Sequence, residues 1–116
     1  MLGIVLDQRE FARHLATGTY DLIVLDVLRD GPAYAYGLVK RIAAQSKYVL
    51  QWREGTLYPV LHHLEEQGLV SSEWKGPKTG RRRRYYRLTA RGQRAWREQR
   101  AQWRTFNRAI NALLRL

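Results

Sequence analysis

GTLYPVLHHLEEQGLVSSEWKGPKTGRRRRYYRLT, residues 55–89, decides the fold. Leu57, Leu61 and Leu64 recur at i, i+4 and i+7, the spacing of one helix face, and Gly68 supplies the residue that most readily ends a helix. Pro59 falls in the first turn or close to it, where a missing N–H costs least. Thr56, Tyr58, His62 and Glu65 are then pushed to the solvent face. After Gly68 the period changes to two. Val70, Ser72 and Trp74 alternate within Leu69–Trp74, and Tyr86 and Leu88 match them within Arg82–Leu88. The intervening Lys75-Gly76-Pro77-Lys78-Thr79-Gly80 is turn-rich and basic. A helix followed by a cationic β-hairpin is predicted.

Upstream, apolar residues at 20, 22, 23, 24, 25, 27 and 28 are too dense for a one-sided surface helix, so Thr19–Arg29 reads as the central, mostly buried helix. Asp30-Gly31-Pro32 stops it. A second helix restarts near Ala33 to Tyr36 and runs to about Gln45, with Leu38, Val39 and Ile42 inward and Lys40 and Arg41 outward. Lys47–Trp52 is rich in strand formers and reads as a short strand. A short leading helix is expected over Asp7–Leu15, since Phe11 and Leu15 share a face and Gly18 follows. Downstream, Thr89 is a good N-cap, and from Ala90 onward only Gly92 interrupts a long helix. Trp96, Trp103, Phe106, Ile110 and Leu113 form one apolar seam on a helix otherwise covered in Arg and Gln, and a seam projecting beyond its domain calls for a second copy.

The expected fold class is α+β, mainly α: a winged helix-turn-helix over residues 1–88 and a C-terminal dimerisation helix over 89–116, forming one compact unit. A length of 116 residues with 45% hydrophobic content suits one domain with its own core. The chain has no cysteine, which excludes disulfides and thiol chemistry and suits a reducing cytosol. Its first residues, Met-Leu-Gly-Ile-Val-Leu, are too short for a signal-peptide core, and no run approaches a membrane span, so a cytoplasmic location is expected.

Charge points to the partner. Residues 1–60 hold 7 basic and 6 acidic side chains, residues 61–116 hold 14 and 4, and the net charge therefore climbs from +1 to +10 between the two parts. Such a surface seeks an anion, with duplex DNA ahead of anionic membrane. In a winged helix-turn-helix the third helix enters the major groove with its N-terminal turns, where Thr56, Tyr58, Pro59, His62 and His63 stand. Lys75, Lys78 and the run Arg81-Arg82-Arg83-Arg84 lie on the hairpin, where strand alternation makes a narrow ridge suited to phosphates. His62 and Glu66 share a helix face at i, i+4, but the third histidine, His14, is distant in sequence, so no metal site and no cofactor are predicted. No nucleophile elbow, Walker loop, dinucleotide fingerprint or zinc-protease motif occurs, so no enzyme is expected.

Several stretches also carry a resemblance. Asp30-Gly31-Pro32-Ala33-Tyr34-Ala35-Tyr36-Gly37, Gly55-Thr56-Leu57-Tyr58-Pro59 with Leu64-Glu65, Gly68 to Trp74, and Gly80-Arg81 with Tyr85 to Thr89 together resemble the phenolic acid decarboxylase regulator (PadR) family of bacterial repressors. The resemblance adds Tyr36 to the expected DNA contacts and implies repression by a homodimer. Arg82 stands where many members carry Pro, which makes this wing more cationic. The single C-terminal helix with Trp103 is similar to the short-tailed, LmrR-like subfamily of multidrug-sensing repressors. That similarity implies a flat channel at the dimer interface in which a small planar aromatic effector stacks, lined here by Trp103, Asn107, Asp21 and Leu22. Two other readings stay open: an effector-independent DNA-binding regulator in which the tryptophans are only dimer core, and a protein-interaction adaptor whose basic face meets an acidic partner.

Overall fold

A computed structural model describes residues 19–116; the leading helix expected over Asp7–Leu15 lies outside the described residues. Helix α1, described over residues 19–28, puts Val24, Leu25, Val27 and Leu28 into the core, as its dense apolar pattern requires. It stops at Gly31, whose φ of +123° is open to glycine but strained for other residues. Arg41 was expected to point outward. Instead its guanidinium turns back to donate to the carbonyls of Val27, Gly31 and Pro32, at 3.3, 2.8 and 3.3 Å. These are carbonyls that the end of α1 leaves without helical partners, and a charged donor satisfies them more strongly than water would.

Helix α2 spans Ala35–Gln45 and buries Ala35, Leu38 and Ile42. Ala33 lies before it as a one-residue β-bridge to Tyr86, with N–H and C=O exchanged at 3.1 and 2.8 Å. The strand expected over Lys47–Trp52 does not form. Lys47 and Tyr48 take left-handed backbone, φ 54° and 65°, so that the Tyr48 N–H reaches the Ala43 carbonyl at 2.7 Å and closes α2. Strand propensity yields a strand only where an edge is paired, and this segment pairs with neither β-strand; the isolated bridge to the hairpin is made by Ala33. Trp52 instead packs inward against Tyr20, ring centroids 4.4 Å apart.

Helix α3 spans Glu54–Glu66, and Leu57, Leu61 and Leu64 are fully buried. Each contributes about 1.5–3 kcal/mol through burial, which leaves the outer face free to be polar. Starting at Glu54 puts Pro59 in the second turn, not the first, so the Gly55 carbonyl lacks its i+4 donor. Strands β1, Val70–Lys75, and β2, Arg83–Leu88, pair antiparallel from Val70↔Leu88 to Lys75↔Arg83. Helix α4 runs Ala90–Leu114; the Thr89 hydroxyl caps it, accepting from Gly92 N–H at 3.0 Å and donating to the Gly68 carbonyl at 2.7 Å. Four helices around one core with a two-stranded wing form a mainly helical winged-helix fold.

Candidate nucleic-acid interface

Register decides what the wing offers. Ser72, Trp74, Arg84 and Tyr86 lie on the hairpin face directed at α3, because Ser72 opposes Tyr86 and Trp74 opposes Arg84. Between this face and α3 lies an open groove of about 770 Å³, into which Tyr36, Tyr58, His62 and Arg81 to Arg84 all open. Sequence distance from Tyr36 to Arg84 is long, yet the fold brings them to one cleft.

Thr56 and Pro59 are exposed on α3 without lining that groove, as are Lys75 and Lys78 on the hairpin. His62 Nε2 lies 3.0 Å from Glu66 on the same helix. His63 points the other way, its Nε2 3.4 Å from Asp21 of α1. Burial pushes the Asp21 carboxyl above the ordinary aspartate range, and the nearby His63 opposes the shift. The hairpin cations divide by role. Lys75 lies 3.5 Å from Glu73 and over the Tyr85 ring; Arg83 sits over the Tyr34 ring at 4.5 Å. Arg84 is held by Glu65 at 2.9 Å and by Ser72 at 2.8 Å. Arg81 and Arg82 stand exposed beside the tip.

Glu65 is therefore half-buried and committed to the wing, not free on the solvent face as its helical position suggested. Two aromatic residues of the groove were missed by reading the sequence for charge. Tyr34 carries the Arg83 stack, and Trp74, 57% exposed, lines the groove. The signal for Trp74 was present, since a strand-end indole alternating with Ser72 must share its face.

Trp103 and Leu22 also come together. With Ile23, Leu50 and Arg100 they border a shallow, largely apolar hollow of about 330 Å³ between α1, the α2–α3 connection and α4. Asp21 and Asn107 do not line it; Asp21 is turned to His63. The α4 seam is split. Trp96 packs on the core and donates its Nε1–H to Asp26 at 2.9 Å, whereas Trp103, Phe106 and Leu113 are 44, 57 and 77% exposed. No group of three or more His, Asp or Glu suited to a metal ion occurs among the described residues, and no helix there is long and apolar enough to cross a membrane.

Solved structures share this arrangement. A transcriptional regulator from Clostridium thermocellum is 30% identical and superposes at TM-score 0.77, covering 85% of this chain and 96% of its own. A PadR family transcriptional regulator from Eggerthella lenta is 38% identical at TM-score 0.75, covering 92% and 91%. A PadR family transcription regulator from Clostridium difficile is 26% identical at TM-score 0.70, covering 81% and 96%. All three are transcriptional regulators rather than enzymes. The model of the transcriptional regulator PadR-like family matches residues 24–98, from α1 into α4, and the chain belongs to that family.

Proposed function

We propose that the protein is a repressor that binds operator DNA as a homodimer and is released by a small planar aromatic effector. Helix α3 reads base edges in the major groove through Thr56, Tyr58, Pro59 and His62, while Tyr36 and the cations Lys75, Lys78 and Arg81 to Arg83 grip phosphates; His63, expected among the reading residues, is turned to Asp21 of α1 and leaves that set. The observation that carries the DNA reading is the single groove shared by α3, Tyr36 and the arginine ridge. Phosphates laid there meet cations from the wing and aromatic hydroxyls from α2 and α3.

The dimer follows from α4. Trp103, Phe106, Leu113, Leu114 and Leu116 are all exposed in one subunit, and a second copy of the helix covers them most economically. Residues 89–116 then serve as the dimerising segment of a unit whose DNA-binding part is 1–88, working in the cytoplasm. Paired hollows bordered by Trp103 and Leu22 would meet across that interface and take the flat effector. The competing, effector-independent reading is favoured by Trp103 resting on Phe106 of its own helix, centroids 5.9 Å apart, as packing residues do.

Electrophoretic retention of DNA from upstream of its own gene tests the first part; no retention at low salt favours an adaptor that binds an acidic protein. Titration with a planar cationic dye tests the second. Trp103→Ala is expected to weaken dye binding by at least about tenfold through the lost stacking, and unchanged binding would leave only the effector-independent regulator.

A further inference from the structure

Glu65 is an acid in a groove walled by four arginines, facing the place assigned to a polyanion. A carboxylate there repels phosphate, so its presence calls for a compensating role. Its two oxygens are both used: Oε1 accepts from Arg84 Nη2 at 2.9 Å, and Oε2 accepts from the Ser72 hydroxyl. Arg84 Nε then donates to Ser72 Oγ at 2.8 Å, closing a ring of three hydrogen bonds that joins α3, β1 and β2.

The hairpin needs such a tie. A two-stranded sheet is marginal alone; its backbone joins the domain at the Ala33–Tyr86 bridge, and beyond the bridge its other face rests on the Tyr34 ring through Tyr85 and Arg83. From Tyr86 to Arg81 is at most about 16 Å of chain, so a swing of about 10° at the bridge would carry the tip about 3 Å, enough to lose a phosphate hydrogen bond. The ring sits two residues beyond the bridge toward the tip and blocks that swing.

We propose that Glu65, Ser72 and Arg84 form a clamp that sets the wing against the reading helix, making Glu65 and Arg84 positioning residues for DNA binding and not phosphate contacts. The clamp rests on the DNA-binding reading above. It also withdraws Arg84 from the ridge, leaving Arg81, Arg82 and Arg83 to meet the backbone.

The test measures affinity and its salt dependence by fluorescence anisotropy, on a labelled duplex that the wild-type protein selects from random-sequence DNA. Simple electrostatics says that Glu65→Ala and Glu65→Gln, which remove the same negative charge, tighten binding equally. The clamp says otherwise: Glu65→Ala weakens binding about tenfold, while Glu65→Gln, whose carbonyl oxygen still accepts from Arg84 and whose amide N–H can donate to Ser72 Oγ, stays within about threefold of wild type. Arg84→Ala likewise weakens binding but leaves the slope of log K against log salt unchanged, whereas a lost phosphate contact on each of two wings would reduce it by about 1.8. Ser72→Ala, which alters no charge, is expected to weaken binding as well, and thermal melts identify any variant that has lost its fold. Tighter binding by Glu65→Ala, or a reduced slope for Arg84→Ala, overturns the clamp while the DNA reading stands. Failure of the wild type to retain any duplex removes both.

Discussion

Replacing Gly92 with Ala inverts the usual rule for a glycine inside a helix. Gly→Ala ordinarily stabilises a helix by about 1 kcal/mol, because alanine loses less backbone entropy on folding. At Gly92 the added Cβ would lie 1.9 Å from the Leu69 carbonyl oxygen and 2.9 Å from its carbon. Carbon atoms do not approach closer than 3.0 Å, so the first turn of α4 and the start of β1 must part by 1.1 Å or more. The obstacle is backbone and cannot rotate away. The same carbonyl accepts the Thr89 N–H at 3.1 Å, and the separation would break that bond. Overpacking of this kind costs about 1–3 kcal/mol and the lost hydrogen bond about 1, against a propensity gain of about 1, for a net loss of about 1–3 kcal/mol.

Thermal unfolding followed by circular dichroism at one protein concentration reads the effect, since a dimer's midpoint moves with concentration. For a domain of this size the loss corresponds to a fall of roughly 4–20 °C. Gly55→Ala is the control: Gly55 lies in α3 with nothing within 4 Å of its would-be Cβ, and the substitution is expected to raise the midpoint slightly. A Gly92→Ala protein that melts within about 2 °C of wild type would refute the packing argument at the α4 junction.

Asp21 is half-buried with its carboxyl raised above 3.8, chiefly by burial. A raised folded-state value means that the protonated form is favoured on folding, so stability is greatest below 3.8 and is lost as pH rises through the higher folded value. Asp21→Asn should abolish that loss and melt relatively higher at pH 7 than at pH 3, a difference absent if His63 instead holds the aspartate charged. Arg81→Ala with Arg82→Ala is expected to lower the salt slope of DNA binding by about 0.9 for each phosphate contact removed, with no change in melting; an unchanged slope would take these residues out of the interface. Pro59→Ala restores a donor to the Gly55 carbonyl inside α3 and should raise the melting midpoint, and a lower midpoint would contradict the assigned helix start.

Local periodicity explains which parts of the fold were legible. The Leu57, Leu61, Leu64 ladder, the alternation through Val70 and Tyr86, and the Thr89 cap each depend on residues within a few positions of one another, and each stands as read. What escaped depends on partners far along the chain. Arg41 looks like a solvent-facing helix residue until Gly31 and Val27, 10 and 14 residues earlier, bring their carbonyls beneath it. Tyr48, Val49 and Leu50 have strand character but pair with no strand, because the turn that closes α2 sets their course. The candidate site divides in the same way. Charge marked the arginine ridge, but only the hairpin register, and the 19 residues that separate Arg84 from Glu65, determine which arginine faces an acid. Trp96 and Trp103 share one helical seam in sequence; contact with Asp26 makes the first part of the subunit's own structure and leaves the second exposed.

That division of the seam bears on how the basic charge is used. The cations in the second half of the chain are not confined to the wing: Arg91, Arg94, Arg97, Arg100, Arg104 and Arg108 lie along α4. None of them lines the groove between α3 and the wing. By Arg104 the helix has travelled about 21 Å from Ala90, more than two screening lengths at physiological salt, so Arg104 and Arg108 lie too far along it to add to phosphate contacts made at the wing. They act locally instead. On a helix whose apolar side is exposed as far as Leu113, like charges along the opposite side would limit the proposed association to the arrangement that buries the seam and keeps the guanidinium groups in water. In the proposed complex the wing's cations hold DNA, and those of α4 restrict how two subunits meet. In that proposed dimer the spacing between the two reading helices, on which operator choice depends, is set by residues that never touch a base.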